Sequence, residues 1–153
     1  MYMKRVAVVM MALCLLVCSI PFAAYAMPEE NVVIEYLADG GYIVTRVADS
    51  MTRIANTKSR ELTKAKYDDG GNLDWQIVFT ATFTYDGVTA RCTSTDLDVT
   101  IYDSSWYQIS AYHNRGAAQG YANVQLGRKV LGVTVEKPSY YLSLNCTPDG
   151  NIS

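Results

Sequence analysis

The stretch from Leu73 to Tyr85, LDWQIVFTATFTY, decides the fold of this chain. Apolar residues occupy all seven odd positions, and polar residues occupy five of the six even positions. An alternation with a period of two is typical of a β-strand that buries one face and exposes the other. The stretch therefore predicts a long, half-buried strand whose odd positions face the core.

A hairpin is predicted directly after this strand. Asp86-Gly87 is the dipeptide best suited to a two-residue turn, because such a turn needs positive φ. A two-residue turn pairs Tyr85 with Val88 and Ala81 with Cys92. In that register the side chain of Cys92 faces the core.

Other segments of the chain show the same alternation. It predicts an N-terminal hairpin at about 31–47, an edge strand at 60–67 and a later hairpin with its turn near 127–129. Further strands are predicted at 97–101 and 106–113. No segment has a convincing helical period. The chain is therefore predicted to be all-β, an antiparallel immunoglobulin-like β-sandwich, with a closed barrel as the alternative.

The last predicted strand carries a change of parity. Apolar residues occupy odd positions up to Val135 but even positions from Tyr140 to Cys146. A slip of one residue turns every side chain to the other face, so the chain must bulge or break between the two runs, at Lys137-Pro138. Cys146 is then predicted to point into the core, as Cys92 does.

Residues 1–26 have the organisation of a secretory signal peptide. Lys4 and Arg5 form a short basic region, residues 6–20 are almost entirely apolar, and residues 24–26 fit the small-x-small pattern that signal peptidase cleaves. The apolar run is short for a bilayer span, which needs about 20 residues. We therefore predict secretion, with a possible cell-wall association. Residues 27–153 are predicted to form one β-sandwich domain without a membrane span.

The charge of the predicted mature chain argues against polyanionic partners. The sequence has 13 basic and 15 acidic side chains, and without Lys4 and Arg5 the balance is 11 to 15, a net charge of −4. Nucleic acid and anionic surfaces are recognised by clustered positive charge, and no basic run is visible. We therefore expect neither nucleic acid nor an anionic membrane surface as a partner.

Two cysteines remain in the mature chain, Cys92 and Cys146, because the other two lie in the predicted signal peptide. A pair of cysteines in an exported domain most often forms a disulfide. Their wide separation and the single His113 do not match the close ligand spacing of a metal site or a redox pair. We predict a disulfide between Cys92 and Cys146, no metal and no other cofactor.

The order of Cys92, Trp106 and Cys146 resembles the cysteine, core tryptophan and cysteine pattern of immunoglobulin domains. The similarity covers about half of the mature chain. The chain departs from the pattern at Leu144, where a tyrosine corner would place a tyrosine. Only seven residues follow Cys146, where a final strand is expected, and parity places Trp106 opposite the face of Ile109. The resemblance implies an immunoglobulin-like sandwich rather than a true immunoglobulin domain.

Five segments spread over most of the mature chain carry a second resemblance. They lie at 36–42, 82–94, 103–106, 131–133 and 146–153, and they include YLADGGY, TFTYDG, RCTS, DSSW, LGV and CTPDGNIS. In these segments the chain resembles a family of small exported proteins of unknown function from Gram-positive, mostly clostridial, bacteria. The resemblance implies export and implies no activity.

The sequence shows no catalytic constellation. His113, the single histidine, is predicted to end a strand at the surface, so a nucleophile and base would meet only by accident of folding. The carboxylate pairs fall near the mature N-terminus, in the turn Asp68-Asp69 and on the outward strand face of Asp96 and Asp98. That turn has too few oxygen ligands for calcium. We predict a protein that is not an enzyme and has no catalytic residues.

Aromatic residues are the strongest indication of a binding role. The chain has 12 tyrosines and two tryptophans, and rings on a rigid sheet suit sugars or extended peptides because they offer amphipathic area at little entropic cost. By parity Trp106 and Tyr112 share the outward face of one strand with Gln108 and Ser110. This pair is the predicted ligand-binding platform. The alternative, which we favour for Trp106, is that this residue turns into a second core or pairs across strands.

Three functions fit this sequence. The first is a secreted, disulfide-stabilised β-sandwich that acts as a non-catalytic binding or cell-envelope accessory protein, with an extracellular protein as one class of partner. The second is a module that binds cell-wall or host glycans through exposed aromatic residues. The third is a secreted hydrolase that uses a pair of carboxylates.

Overall fold

The structure is a computed structural model that describes residues 31–50 and 56–153. The predicted signal peptide, residues 1–26, lies outside the described residues. Within them the chain forms nine β-strands, numbered in chain order: β1 Asn31–Tyr36, β2 Tyr42–Ser50, β3 Thr57–Tyr67, β4 Leu73–Tyr85, β5 Ala90–Ile101, β6 Trp106–Arg115, β7 Gln119–Val130, β8 Val133–Glu136 and β9 Ser139–Asn145.

The strands form two antiparallel sheets that pack together. The first sheet has five strands in the order β1-β2-β3-β4-β5. In the second, four-stranded sheet, β7 pairs with β6 along one side, and with β8 and β9 along the other. The buried side chains of both sheets form one hydrophobic core. The prediction of an all-β fold with two packed antiparallel sheets, consistent with a β-sandwich, is confirmed.

The centre of the core comes from β4. Its odd positions from Trp75 to Phe83 are fully buried, as the alternation predicts. Fully burying a large apolar side chain contributes roughly 1.5–3 kcal/mol. The two sheets approach so closely at Gly120 that an added Cβ would lie 2.8 Å from Ala81 Cβ. The facing strands β7 and β9 contribute the buried residues Ala122, Val124, Leu126, Leu142 and Leu144.

The predicted hairpin between β4 and β5 is confirmed, but its predicted register is wrong. Tyr85 pairs with Ala90, so the turn has four residues instead of two. The carboxylate of Asp86 accepts hydrogen bonds from the backbone N–H groups of Val88 and Thr89 at 2.9 and 2.7 Å, which favours this longer turn. Because the register moves by two positions, Cys92 still faces the core, where it is buried.

A β-bulge near Thr93 then reverses the parity of β5. Phe83 pairs with Cys92, but Thr82 pairs with Ser94, which leaves one extra residue on β5. A bulge of this kind exchanges the two faces of a strand from that point onward. As a result Leu97 packs against the core, although Cys92 occupies an even position and Leu97 an odd one.

Other elements confirm or correct the sequence predictions. The N-terminal hairpin is confirmed, and its second strand extends to Ser50. The break in parity lies between the end of β8 at Glu136 and the start of β9 at Ser139, as predicted. The strand predicted at 60–67 is confirmed as β3, but it is not an edge strand, because it lies between β2 and β4. The predicted turn at 127–129 is also wrong, since β7 continues to Val130 and the chain turns at Leu131-Gly132.

A buried ion pair lies where β3 meets β4. Lys66 Nζ is 2.7 Å from Asp74 Oδ2, and both side chains are buried. Lys66 Nζ and Arg128 Cζ lie 5.5 and 5.9 Å from the ring centroid of Trp106. Trp106 also packs edge-on against Trp75, with the ring centroids 6.1 Å apart. Trp106 is therefore a core residue surrounded by aromatic and cationic neighbours.

Candidate functional site

The structure places Trp106 in the core, as the alternative predicted from the sequence has it, so Trp106 and Tyr112 do not share an outward face. A bulge in β6 between Gln108 and Ser110 leaves Ile109 as an extra residue and reverses the parity of the strand. Trp106 therefore turns inward and is 4% exposed, whereas Tyr112 turns outward and is 55% exposed. Trp106 cannot present its ring to a ligand, but Tyr112 can.

Tyr112 lies in a row of three outward side chains on the four-stranded sheet. Tyr112 of β6 pairs with Asn123 of β7, and Asn123 pairs with Tyr141 of β9. Tyr141 is 58% exposed. Its ring stacks on that of Tyr121, with the centroids 6.4 Å apart and the planes at 27°. Two exposed rings therefore flank one amide, and a third ring extends the aromatic area.

The rows before and after this one complete a surface without charge. The even positions of β7 from 120 to 126 are buried, so its odd positions and their partners on β6 and β9 point outward. None of these outward side chains is acidic or basic, and none is buried. We call this surface the tyrosine-amide face, and it consists of Ser110, Tyr112, Asn114, Tyr121, Asn123, Gln125, Ser139, Tyr141 and Ser143.

This combination of side chains can hold an uncharged, hydroxyl-rich ligand. Each tyrosine offers an apolar ring face and a polar hydroxyl group. Asn123 and Gln125 each carry an amide that both donates and accepts hydrogen bonds. Because the groups stand on paired strands, little conformational freedom is lost when a ligand binds.

The outer face of the five-stranded sheet has a different chemistry. A depression of about 200 Å³ lies over β2, β3 and β4, and Arg46 and Glu61 are among the residues that line it. At its end the rings of Tyr42 and Tyr67 stack with their centroids 5.0 Å apart, and Tyr36 packs at 6.2 Å from Tyr42. This second aromatic cluster is therefore bordered by charged side chains.

The two cysteines of the predicted disulfide lie in one core as free thiols. The backbone N–H of Cys92 donates to the carbonyl of Ala117 at 2.8 Å, and that of Cys146 donates to the next carbonyl, of Ala118, at 2.9 Å. Burial raises the pKa of both thiols, and the nearby Cys146 adds to the rise in the pKa of Cys92. The structure therefore brings the two cysteines to the same short segment, and their disulfide stays a prediction.

The remaining candidates for chemistry are dispersed. His113 is exposed at the end of β6, and its Nδ1 lies 2.9 Å from Thr95 Oγ1. Asp96 and Asp98 point outward on β5 and are exposed. The side-chain and backbone hydrogen bonds that Asn72 donates to Asp68 lower the pKa of this carboxyl group in its turn.

Residues 31–50 and 56–153 contain neither a cluster of candidate metal ligands nor a candidate membrane-spanning helix. In these ranges the structure contains no cluster of three or more histidine, cysteine or acidic side chains that could hold a metal ion. No helix there has the length and apolarity needed to cross a bilayer.

Comparison of the chain with protein-family models, with curated proteins and with solved structures finds no match. The assignment of a function to the tyrosine-amide face therefore depends on the side chains that compose it. The alternation in residues 119–126 and 139–145 already points Tyr121 and Tyr141 outward. The sequence did not show that β9 pairs with β7, since alternation along a strand does not identify the neighbouring strand.

Proposed function

We propose that this chain is an exported, non-catalytic binding domain whose tyrosine-amide face binds an uncharged glycan. The observation that carries the proposal is the row of Tyr112, Asn123 and Tyr141, in which two exposed rings flank an amide on a rigid sheet. Tyrosine rings stack on the apolar faces of sugars, and amides hydrogen-bond to sugar hydroxyl groups. A face without charge suits an uncharged polymer, because no charged group has to lose its water.

The dimensions of the face suit an oligosaccharide better than a single sugar. Tyr112 and Tyr141 stand on β6 and β9, which are separated by β7, so their backbones lie about 10 Å apart, or two inter-strand spacings. Tyr121 extends the aromatic area along the sheet, beside Tyr141. A chain of several sugar units can contact all three rings, whereas one sugar ring covers only one of them.

Export is part of the proposal and is supported by the sequence. Residues 1–26 have the basic, apolar and small-x-small regions of a signal peptide, and the resemblance to exported clostridial proteins suggests the same location. In the proposed mature protein, Cys92 and Cys146 form a disulfide and the two sheets have an immunoglobulin-like arrangement. A secreted domain of this kind suits the binding of cell-wall or host glycans.

Truncation of one exposed ring tests this proposal. Tyr141→Ala is expected to weaken binding to the preferred oligosaccharide at least about tenfold, equivalent to about 1.4 kcal/mol, because the stacking surface is lost. Tyr141→Phe keeps the ring, so we expect its affinity to stay within about twofold of the wild type. Isothermal titration calorimetry with oligomers of N-acetylglucosamine, of glucose and of mannose measures both effects.

The matched control is Tyr102→Ala. Tyr102 lies in the turn between β5 and β6, outside the tyrosine-amide face, and its exposure of 56% is close to that of Tyr141. We expect Tyr102→Ala to bind as the wild type does. The proposal fails if none of the three oligosaccharides binds, or if Tyr102→Ala and Tyr141→Ala lose affinity equally.

A further inference from the structure

The hairpin of β7 and β8 ends in an aliphatic tip formed by Val130, Leu131, Gly132 and Val133. All three aliphatic side chains are exposed, and Leu131 is 99% exposed. Val135, further along β8, is exposed as well. The tyrosine-amide face uses none of these residues. Contiguous exposed apolar surface often marks a site of interaction with another protein or a membrane.

Contacts with β6 hold this hairpin in place. The ring of Tyr107 lies so close to Gly127 that an added Cβ there would be 2.4 Å from Tyr107 Cζ. The hydroxyl of Tyr107 is 2.8 Å from Thr134 Oγ1, and Lys129 Nζ lies 4.6 Å from the centroid of the same ring. The tip therefore lies at the end of a hairpin that is held against β6 by side-chain contacts with Tyr107.

The turn itself contains an unfavourable residue. Leu131 and Gly132 both have positive φ, of 50° and 81°. Asparagine, aspartate or glycine normally fills the first of these positions, because a bulky side chain is strained there. Leucine at this position costs conformational energy and exposes an aliphatic side chain to water. Neither the stability of the turn nor solubility accounts for Leu131, whereas an intermolecular contact does.

The chemistry of the tip fits the acyl region of a lipid bilayer. Hot spots between proteins are enriched in tryptophan, tyrosine and arginine, with leucine and valine under-represented, and this tip carries only aliphatic side chains. Lys129 and Lys137 flank the hairpin and can reach lipid headgroups. Glu136 is paired with Arg128 at 3.1 Å, which offsets its charge.

We infer that this aliphatic tip inserts into the surface of a lipid bilayer and binds it weakly and reversibly. The negative net charge of the chain is compatible with this inference, because insertion of the side chains, and not charge, drives the contact. The binding partner of the tip is therefore a lipid surface, with a preference for anionic headgroups near Lys129 and Lys137.

Co-sedimentation of the protein with vesicles tests the inference. One set of vesicles contains phosphatidylglycerol and phosphatidylcholine, and the other contains phosphatidylcholine alone. The variant Leu131→Asn with Val133→Thr removes the aliphatic tip, while asparagine suits positive φ and threonine keeps the β-branched shape. We expect this double variant to bind both sets at least about tenfold more weakly than the wild type, and circular dichroism to show an unchanged fold.

Two further variants sharpen the test. Val88→Thr alters an exposed aliphatic side chain in the turn between β4 and β5, and we expect it to bind as the wild type does. Lys129→Gln with Lys137→Gln is expected to weaken binding only to the vesicles with phosphatidylglycerol. The inference is overturned if the wild type sediments with neither set of vesicles. It is also overturned if the Leu131/Val133 variant binds as the wild type does, or if Val88→Thr loses as much affinity.

Discussion

Replacement of Asp74 by alanine is expected to lower the free energy of unfolding by about 3–5 kcal/mol. Asp74 Oδ2 lies 2.7 Å from Lys66 Nζ, and both side chains are buried. The substitution leaves an ammonium group in the core with Asp39, at 3.7 Å, as the remaining carboxylate near it. A buried charge that loses its nearest partner costs far more than the loss of an exposed ion pair. Urea denaturation followed by far-ultraviolet circular dichroism measures the change.

The control for this prediction is Glu136→Ala. Glu136 pairs with Arg128 at 3.1 Å, but its side chain is 46% exposed, so its removal is expected to cost less than about 1 kcal/mol. The double variant Lys66→Met with Asp74→Ala removes both charges and is expected to recover much of the lost stability. The explanation is contradicted if Asp74→Ala costs no more than Glu136→Ala.

Reduction of the disulfide that we propose between Cys92 and Cys146 is expected to lower the free energy of unfolding by about 4 kcal/mol. A bridge between Cys92 and Cys146 closes a loop of about 55 residues, and the loss of entropy in the unfolded chain scales with the logarithm of that length. The two cysteines already lie in one core, beside consecutive carbonyl groups. Urea denaturation with and without a reductant measures the difference.

The oxidation state of Cys92 and Cys146 has to be measured in the unfolded protein. Burial raises the pKa of both thiols, so they would react slowly with alkylating agents in the native protein even if they were free. For the exported form that we propose, alkylation in denaturant without a reductant is therefore followed by mass spectrometry. We expect neither cysteine to be modified, and modification of both would refute the disulfide. A variant with Cys92→Ala and Cys146→Ala should show no response to reductant.

The strands could be predicted from the sequence because the alternation of apolar and polar residues depends only on the face on which each residue lies, whichever strand is its neighbour. The alternation from Trp75 to Phe83 corresponds to five fully buried positions in β4. The same signal placed Cys146 in the core, beyond the break in parity at Lys137-Pro138. A pattern with a period of two indicates which face of a strand is buried. This part of the prediction stays correct even when the strand pairs in a different register or with a different neighbour.

The register of the strands could not be predicted in the same way. The bulges in β5 and β6 are each a single extra residue, and alternation gives little indication of where such a residue falls. The bulge in β6 determines the composition of the candidate site, since it buries Trp106 and leaves Tyr112 exposed. The two turns also differ from the prediction in ways that alternation does not report: Asp86 accepts backbone hydrogen bonds in a four-residue turn, and Leu131 adopts positive φ in the turn after β7.

Only part of the candidate site could be predicted from the sequence, for a related reason. Tyr112 was predicted to face outward and does so. Its neighbours in the candidate site lie on two other strands: Asn123 on β7, which pairs with β6, and Tyr141 on β9, which pairs with the opposite edge of β7. Such long-range pairings depend on the topology of the whole sheet, and no local pattern contains them. The exposed valines of β8 show the converse, because their alternation suggested a buried face that the sheet does not cover.

The most direct test of glycan binding at the tyrosine-amide face is a titration of the isotope-labelled protein with the three oligosaccharides, followed through its amide chemical shifts. We expect the largest shifts at the side-chain amides of Asn123 and Gln125 and at the backbone of Tyr141, with saturation as the ligand is added. The absence of shifts with every oligosaccharide would contradict glycan binding. Shifts concentrated around Arg46 and Glu61 would instead assign the ligand to the five-stranded sheet and contradict the site.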